Sequence, residues 1–376
     1  MSKRIYKIGL DAHALAAVGT GNHSYLRGLI EGLAQVDPKN KYLLYDAARA
    51  PLDVINRAAK NFSVRNLYLH SALARNVFSV PLAQRLDGLD LYHGQFFLPL
   101  GLNCKTVVSI HDLCFEHYPE FFRLSERALL PRLVRAAARR ADEILTLSEF
   151  SKQDIAQRYR VDAAKIHVVA PGIEPHFKPI QDAAILDAIR ARYALPQSFI
   201  LFYGRTDPRK GAEVLVQAYQ KLLAQGAINA ELIIAGRAGS ADAALRALVQ
   251  NGGLAARVRF IGIVPDQDLA GVISAATCVV YPSIFEGFGL PALEAMACGT
   301  PVITTNASAL PEVMGDTELM FEPGNVDALA RSLKRLLDSE MARTQAAAAG
   351  LARAQMFSWT RSARQALAVY EHLLAV

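Results

Sequence analysis

Two glutamates eight positions apart, Glu286 and Glu294, flank a glycine-bearing turn in the window YPSIFEGFGLPALEAMACGTPVI, residues 281–303. An apolar run ends near Ser283, Glu286-Gly287-Phe288-Gly289 forms the turn, Pro291 opens a short helix and Gly299 closes it. The free backbone N–H groups and dipole at such a helix start favour an anion, for example a diphosphate. Carboxylates accept hydrogen bonds from paired hydroxyls, as on a ribose or hexose ring. A diphosphate would repel them, so the two acids belong against the sugar parts of the ligand. Taken alone, each reads equally as a solvated acid.

A second constellation lies in FILFYGRTDPRKGAEVLVQAY, residues 199–219. Arg205 follows an apolar run that ends at Tyr203-Gly204, and Lys210-Gly211 precedes a helical pattern. Two cations there can clamp a diphosphate, the arginine through paired hydrogen bonds and the lysine as a point charge. With Arg209 beside them, a plain solvated basic turn is the competing reading. His111 in SIHDL ends the apolar run VVSI and is followed by Asp112, a position where open α/β sheets place ligands. His13, His23, His93, His117 and His176 have no metal-ligand spacing. Cys104, Cys114, Cys278 and Cys298 form no CxxC pair, so they read as reduced thiols.

The elements that must position these groups alternate regularly. Strand-length runs at 5–12, 41–46, 90–94, 105–112, 143–148 and 165–171 are separated by helical patterns such as 22–35. A second series, 199–205, 231–236, 257–262, 278–283, 301–306 and 318–323, is separated by helices at 211–225, 240–250 and 266–275. This rhythm predicts an α/β fold with parallel sheets covered by helices. The Pro-rich, polar segment 171–182 reads as a linker, which divides the chain into 1–176 and 177–357. A closing helix over 358–376 takes Ser358 or Thr360 as its N-cap.

Together these features resemble family 4 of the retaining glycosyltransferases, which have the GT-B fold. The resemblance rests on the E-x7-E pair, the EGFGLPxLEAMAxGTPV run, the GR…KG element and the FSW-type closing helix. It implies two Rossmann-like domains facing an interdomain cleft, with the closing helix packed back on the first domain. It also implies roles. Arg205 and Lys210 hold the donor diphosphate, and Glu294 binds the ribose hydroxyls. Glu286 contacts the transferred sugar, with Gly287, Phe288, Gly289 and Leu290 close by. Ile263 and Val264 line the base pocket, Gly19-Thr20-Gly21 forms a glycine loop near the donor phosphate, and His111 is the active-site histidine. The nucleotide sugar is a co-substrate, and neither a metal nor another cofactor is required. Bacterial sequences with an SIHDL-like segment point to mannose from GDP-mannose, passed to a glycan or lipid-linked acceptor for surface polysaccharide.

Other readings stay open at this stage. A UDP- or ADP-sugar donor, or a nucleotide-sugar epimerase, would share the fold. An NAD-dependent dehydrogenase is weaker, because GTGNHS (19–24) has Ser24 where the third fingerprint glycine belongs. The net charge of +6 and the missing recognition motifs argue against nucleic acid. No long apolar run suggests a membrane span or signal peptide, so a cytoplasmic protein is expected. Six arginines in 123–145 make either a solvated helix or one that touches a membrane surface.

Overall fold

The computed structural model describes residues 4–46, 60–67 and 75–375. The chain divides into two units, Met1–Gly172 with Phe357–Val376, and Ile173–Met356. The first break falls at Gly172 rather than at 176. A Cβ on Gly172 would lie 2.0 Å from the Trp359 nitrogen, so this glycine is packed under the start of the closing helix and belongs with it.

The first unit holds a seven-stranded sheet in the order β3-β2-β1-β4-β5-β6-β7. Its strands are β1 (Lys7–Asp11), β2 (Lys41–Asp46), β3 (Phe62–Asn66), β4 (Leu91–Gln95), β5 (Lys105–Ser109), β6 (Glu143–Thr146) and β7 (Ile166–Val168). All neighbours pair in parallel. Edge strand β3 was not among the expected strands. Its FSVRN buries only Phe62, so no apolar run marks it. Helix Gly21–Val36 and the closing helix Trp359–Ala375 pack together. Gly28 and Gly32 make the room: a Cβ on Gly28 would come 2.0 Å from the Trp359 indole, and one on Gly32 would come 2.5 Å from the Trp359 carbonyl. Ser358 is the cap, its Oγ accepting from the Arg361 N–H at 3.3 Å.

The second unit holds six parallel strands in the order β10-β9-β8-β11-β12-β13. They are β8 (Phe199–Tyr203), β9 (Glu231–Ala235), β10 (Val258–Gly262), β11 (Cys278–Tyr281), β12 (Val302–Thr305) and β13 (Met320–Phe321). β8 and β11 are buried along their whole length, as central strands covered on both faces must be. Helix Ala212–Ala224 covers them with Leu215, Val216, Tyr219 and Leu222, a helical-period stripe within one core. Chain order runs outward from β8 through β9 to β10, then restarts on its other side with β11. The β8/β11 boundary is therefore the point where strand order reverses, the place where such sheets bind ligands. In the first unit the β1/β4 boundary plays the same part.

Candidate active site

The loops after β8 and β11 bring Lys210 onto Glu286. Lys210 Nζ lies 2.5 Å from Glu286 Oε1 and also donates to the Tyr281 hydroxyl. The Tyr281 hydroxyl donates to the same carboxylate oxygen at 2.8 Å, and Ser283 Oγ lies 2.6 Å from it. Arg209, which sequence reading left as part of a solvated turn, places a guanidinium nitrogen 3.3 Å from that oxygen. All four groups meet at Oε1. Burial opposes ionisation of Glu286, but the Lys210 and Arg209 charges and these hydrogen bonds outweigh it and hold the carboxyl at about 2. The approach depends on Gly211, which has φ +67°; a Cβ there would come 2.1 Å from the Pro282 carbonyl oxygen.

The backbone of Glu286 is fixed from a third loop. Its N–H donates to Ser308 Oγ at 2.8 Å, and Ser308 itself sits at φ +52°. A non-glycine residue in that region costs on the order of 1–3 kcal/mol. Gly289, at φ +115°, turns the chain into helix Leu290–Ala297, which has no side-chain cap and no acid in its first turn. Gly287, Phe288 and Gly289 are buried and Leu290 is partly exposed, so the turn is set into the unit.

Glu294, one turn into that helix, has the opposite electrostatics. Burial pushes its carboxyl up to about 8, with Glu174 and Asp266 adding to the shift and Tyr203 opposing it. The Tyr203 hydroxyl lies 3.2 Å from Glu294 Oε2 and 2.5 Å from the Pro291 carbonyl oxygen. The two acids of one motif therefore differ in charge near neutrality: Glu286 is an acceptor only, while Glu294 carries a proton and can also donate.

Arg205 is not part of the Glu286 cluster. Its half-exposed guanidinium forks onto Asp207, with Nε 2.9 Å from Oδ2. Ile263 and Val264 follow β10, Ile263 exposed and Val264 buried. Backbone bonds join their loop to the other loops of this edge: the Gly236 N–H donates to the Gly262 carbonyl at 2.6 Å, and the Gly204 N–H to Ala235 at 3.0 Å. A Cβ on Gly236 would fall 2.1 Å from the Gly204 carbonyl oxygen.

In the first unit, His111 is buried at the end of β5 between the rings of Tyr25 and Phe96, at 4.5 and 5.1 Å. Its Nδ1 lies 2.9 Å from Asn22 Oδ1, and its buried Nε2 has no hydrogen-bond partner. Burial, with His93 nearby, holds its imidazole down to about 3, so it is neutral. Asp112 Oδ1 accepts from the Cys114 N–H at 2.9 Å, where the next short helix begins. Thr20 is the N-cap of helix Gly21–Val36, and a Cβ on Gly19 or Gly21 would meet nothing within 4 Å. Sequence reading missed a buried group at the end of β1. Asp11 accepts from His13 Nδ1 at 2.8 Å and faces buried Arg75 at 3.7 Å. Asp11 and Arg75 are far apart in sequence, so no local motif announces them. Among the described residues no group of three or more His, Cys, Asp or Glu side chains has a metal-binding arrangement.

Two parallel-sheet units, each with chemistry-bearing loops at its switch point and the second carrying the E-x7-E turn, define a glycosyltransferase of the GT-B class. Residues 187–353 match the "Glycosyl transferases group 1" family and residues 25–177 match "Glycosyltransferase Family 4". The chain is 35% identical over 284 residues to the O-antigen chain mannosyltransferase B of Escherichia coli, covering 75% of this chain and 74% of that one. The fold matches sucrose-phosphate synthase from Thermosynechococcus elongatus with a TM-score of 0.80 and 25% identity, over 99% of this chain and 100% of the other. It also matches Anabaena Alr3699/HepE in complex with UDP-glucose, with a TM-score of 0.75 and 19% identity over 98% and 100% of the two chains. The chain belongs to glycosyltransferase family 4.

Proposed function

We propose that this glycosyltransferase transfers mannose from GDP-mannose, with retention at the anomeric carbon, to a glycan or lipid-linked acceptor in the assembly of a surface polysaccharide. The observation that carries the reading is the meeting of Lys210, Arg209 and Glu286 at the β8/β11 switch point, beside the uncapped start of helix Leu290–Ala297. Mannose and the polysaccharide setting are supported by the similarity to the O-antigen chain mannosyltransferase of Escherichia coli, and a nucleotide-sugar donor by the UDP-glucose complex of the Anabaena protein.

In this reading the bond from the anomeric carbon to the diphosphate oxygen breaks, leaving positive charge on the sugar and negative charge on the leaving group. Lys210 and the helix start stabilise the departing diphosphate. Arg205 joins them by leaving Asp207. Glu286, kept ionised, accepts from hydroxyls of the transferred sugar through Oε2, which none of its four internal partners occupies. Glu294, kept protonated, donates to one ribose hydroxyl and accepts from the other. Ile263 and Val264 border the base, and the Gly19-Thr20-Gly21 backbone lies against the donor phosphate. The unpartnered Nε2 of His111 accepts from a sugar hydroxyl. The acceptor oxygen bonds to the anomeric carbon on the face that the diphosphate leaves, and its proton passes to an oxygen of the leaving phosphate. Side chains and backbone supply all the charge stabilisation in this scheme, with no metal ion, and the enzyme works at the cytoplasmic side of the membrane.

The test is a thermal-shift screen against GDP, UDP, ADP and their sugars, followed by a transfer assay with EDTA present. GDP-mannose is expected to raise the melting temperature most, since a ligand that binds the folded state stabilises it. No shift with any nucleotide would overturn the donor site. A shift with UDP-glucose alone would replace the donor, loss of turnover in EDTA would overturn the metal-free scheme, and conversion of the donor without acceptor would point to an epimerase.

A further inference from the structure

Given the diphosphate site proposed above, we propose that Asp207 is a positioning residue that competes with the leaving-group phosphate for Arg205, so that the enzyme holds the product nucleoside diphosphate less tightly than its cations alone would. The two cations of the loop after β8 are built differently. Lys210 is fixed, its nearly buried ammonium set on Glu286 and Tyr281. Arg205 is movable. Half of its side chain is exposed, and among the described residues its guanidinium bonds to Asp207 alone, Nε to Oδ2 at 2.9 Å and a terminal nitrogen to Oδ1 at 3.4 Å.

Asp207 does not swing with the arginine, because the loop after β9 holds it. Its Oδ1 accepts from the Ser240 N–H at 3.1 Å. Gly239 makes room for the carboxylate: a Cβ there would fall 2.5 Å from that same oxygen. The preceding residue is stitched to the same loop. Thr206 Oγ1 accepts from the Gly239 N–H at 2.9 Å and donates to Asp242 at 3.0 Å, and the Ala241 N–H donates to the Thr206 carbonyl at 3.0 Å. Burial works against the charge on Asp207, but Arg205, the Ser240 N–H and the Arg209 charge hold its carboxyl below the ordinary carboxylate range. Ser240 and Arg209 remain when Arg205 turns away, so Asp207 stays anionic and draws the guanidinium back.

A fixed anion two residues from a mobile cation sets a threshold for the ligand. A diphosphate gains Arg205 only by taking it from a fork of two charge-assisted hydrogen bonds. The donor's outer phosphate is esterified to the sugar, whereas after transfer the same phosphate is a monoester with more negative charge. Cations with no competitor would then hold the product harder than the substrate, and product release limits many enzymes. Asp207 takes one of those cations back.

The test is calorimetric titration of the full chain with GDP, UDP and ADP, the tightest of them being carried through the variants. Asp207→Asn keeps an acceptor for the Ser240 N–H and is expected to tighten diphosphate binding roughly fivefold. Arg205→Ala should weaken it by about tenfold. The double variant should bind like Arg205→Ala alone, because Asp207 acts through the arginine, and a double-mutant cycle reads that non-additivity. Thr206→Val loosens the same loop junction without touching the ion pair and should leave binding unchanged. Circular dichroism checks that each variant is folded, and Asp207→Ser stands in if the amide variant is not. Unchanged binding by the folded Asp207 variant, equal tightening on the Arg205→Ala background, or tightening by Thr206→Val would overturn the proposal and leave the donor site standing. No binding of any of the three diphosphates to the parent would overturn both.

Discussion

Gly211 and Pro282 touch backbone to backbone: a Cβ on residue 211 would lie 2.1 Å from the Pro282 carbonyl oxygen, at φ +67°. That contact holds the loop after β8 against the end of β11 and delivers Lys210 to Glu286. Gly211→Ala is expected to cost about 2 kcal/mol or more, from the left-handed backbone and the forced separation of the loops. Urea unfolding measures the loss, and nucleotide binding should weaken with it. A variant as stable as the parent would mean that the loops are free to part.

Lys210→Ala should leave the fold intact, because Arg209, Tyr281 and Ser283 still meet Glu286 Oε1. Turnover is expected to fall by about a hundredfold to a thousandfold, the scale for removing one group that stabilises developing charge. A double-mutant cycle with Glu286→Gln should give a coupling of about 0.5–3 kcal/mol in stability. Additive effects would separate the two residues despite their 2.5 Å contact.

Glu294 gives a stability signature of unusual sign. Burial, aided by Glu174 and Asp266 and opposed by Tyr203, raises its carboxyl to about 8, so the fold favours the protonated form. Its contribution is full below the ordinary carboxyl range and is lost as pH rises through about 8. Glu294→Gln keeps a neutral side chain and is expected to be the more stable protein at about pH 9, with no advantage at about pH 4. Chemical unfolding at the two pH values decides it; the same difference at both would mean that the native carboxyl is already ionised.

His93 and His111 work in the opposite direction. Burial holds both imidazoles down to about 3, and His93 adds to the effect on His111. Neutral histidines stabilise the first unit above their ordinary pKa of about 6.5, and that stability is lost as pH falls from there toward 3. His93 bridges the closing helix and β5 through Tyr370 at 2.7 Å and Ser109 at 2.8 Å. His93→Gln should lower stability at neutral pH and flatten its decline between about pH 6.5 and 4.5, where few carboxyls titrate. An unchanged slope would mean that the imidazole is not the titrating group.

Gly28→Ala tests the seat of the closing helix, since the new methyl would fall 2.0 Å from the indole of Trp359. A loss of about 1–3 kcal/mol is expected from overpacking. Trp359 is the chain's one tryptophan, so its fluorescence follows the first unit selectively. A shift in that signal, with the second unit's transition unmoved, is the expected pattern.

The parallel sheets were legible because central strands such as FILFY and CVVY are continuous apolar runs between helical patterns. Lys210 and Glu286 were legible because each lies next to the glycines that its own loop requires. Their neighbours were not. Tyr281 and Ser283 read as the end of a strand, Arg209 as part of a solvated basic turn, and no motif marks Ser308. Their roles appear only when three loops from separate strands meet. Asp11 and Arg75 were hidden for the same reason, since a long-range ion pair leaves no local period.

Because Trp359 and Tyr370 fill the first unit from beyond the second in sequence, the first unit leaves the ribosome ahead of Ile173–Met356 but is completed after it. Ile173–Met356 can collapse as soon as it has been translated, but the slot beside Gly28 and Gly32 stays open until residues 357–375 follow. Throughout that interval the slot beside Gly28 and Gly32 is an exposed apolar groove, so the folding of residues 1–172 waits on the translation of residues 357–375.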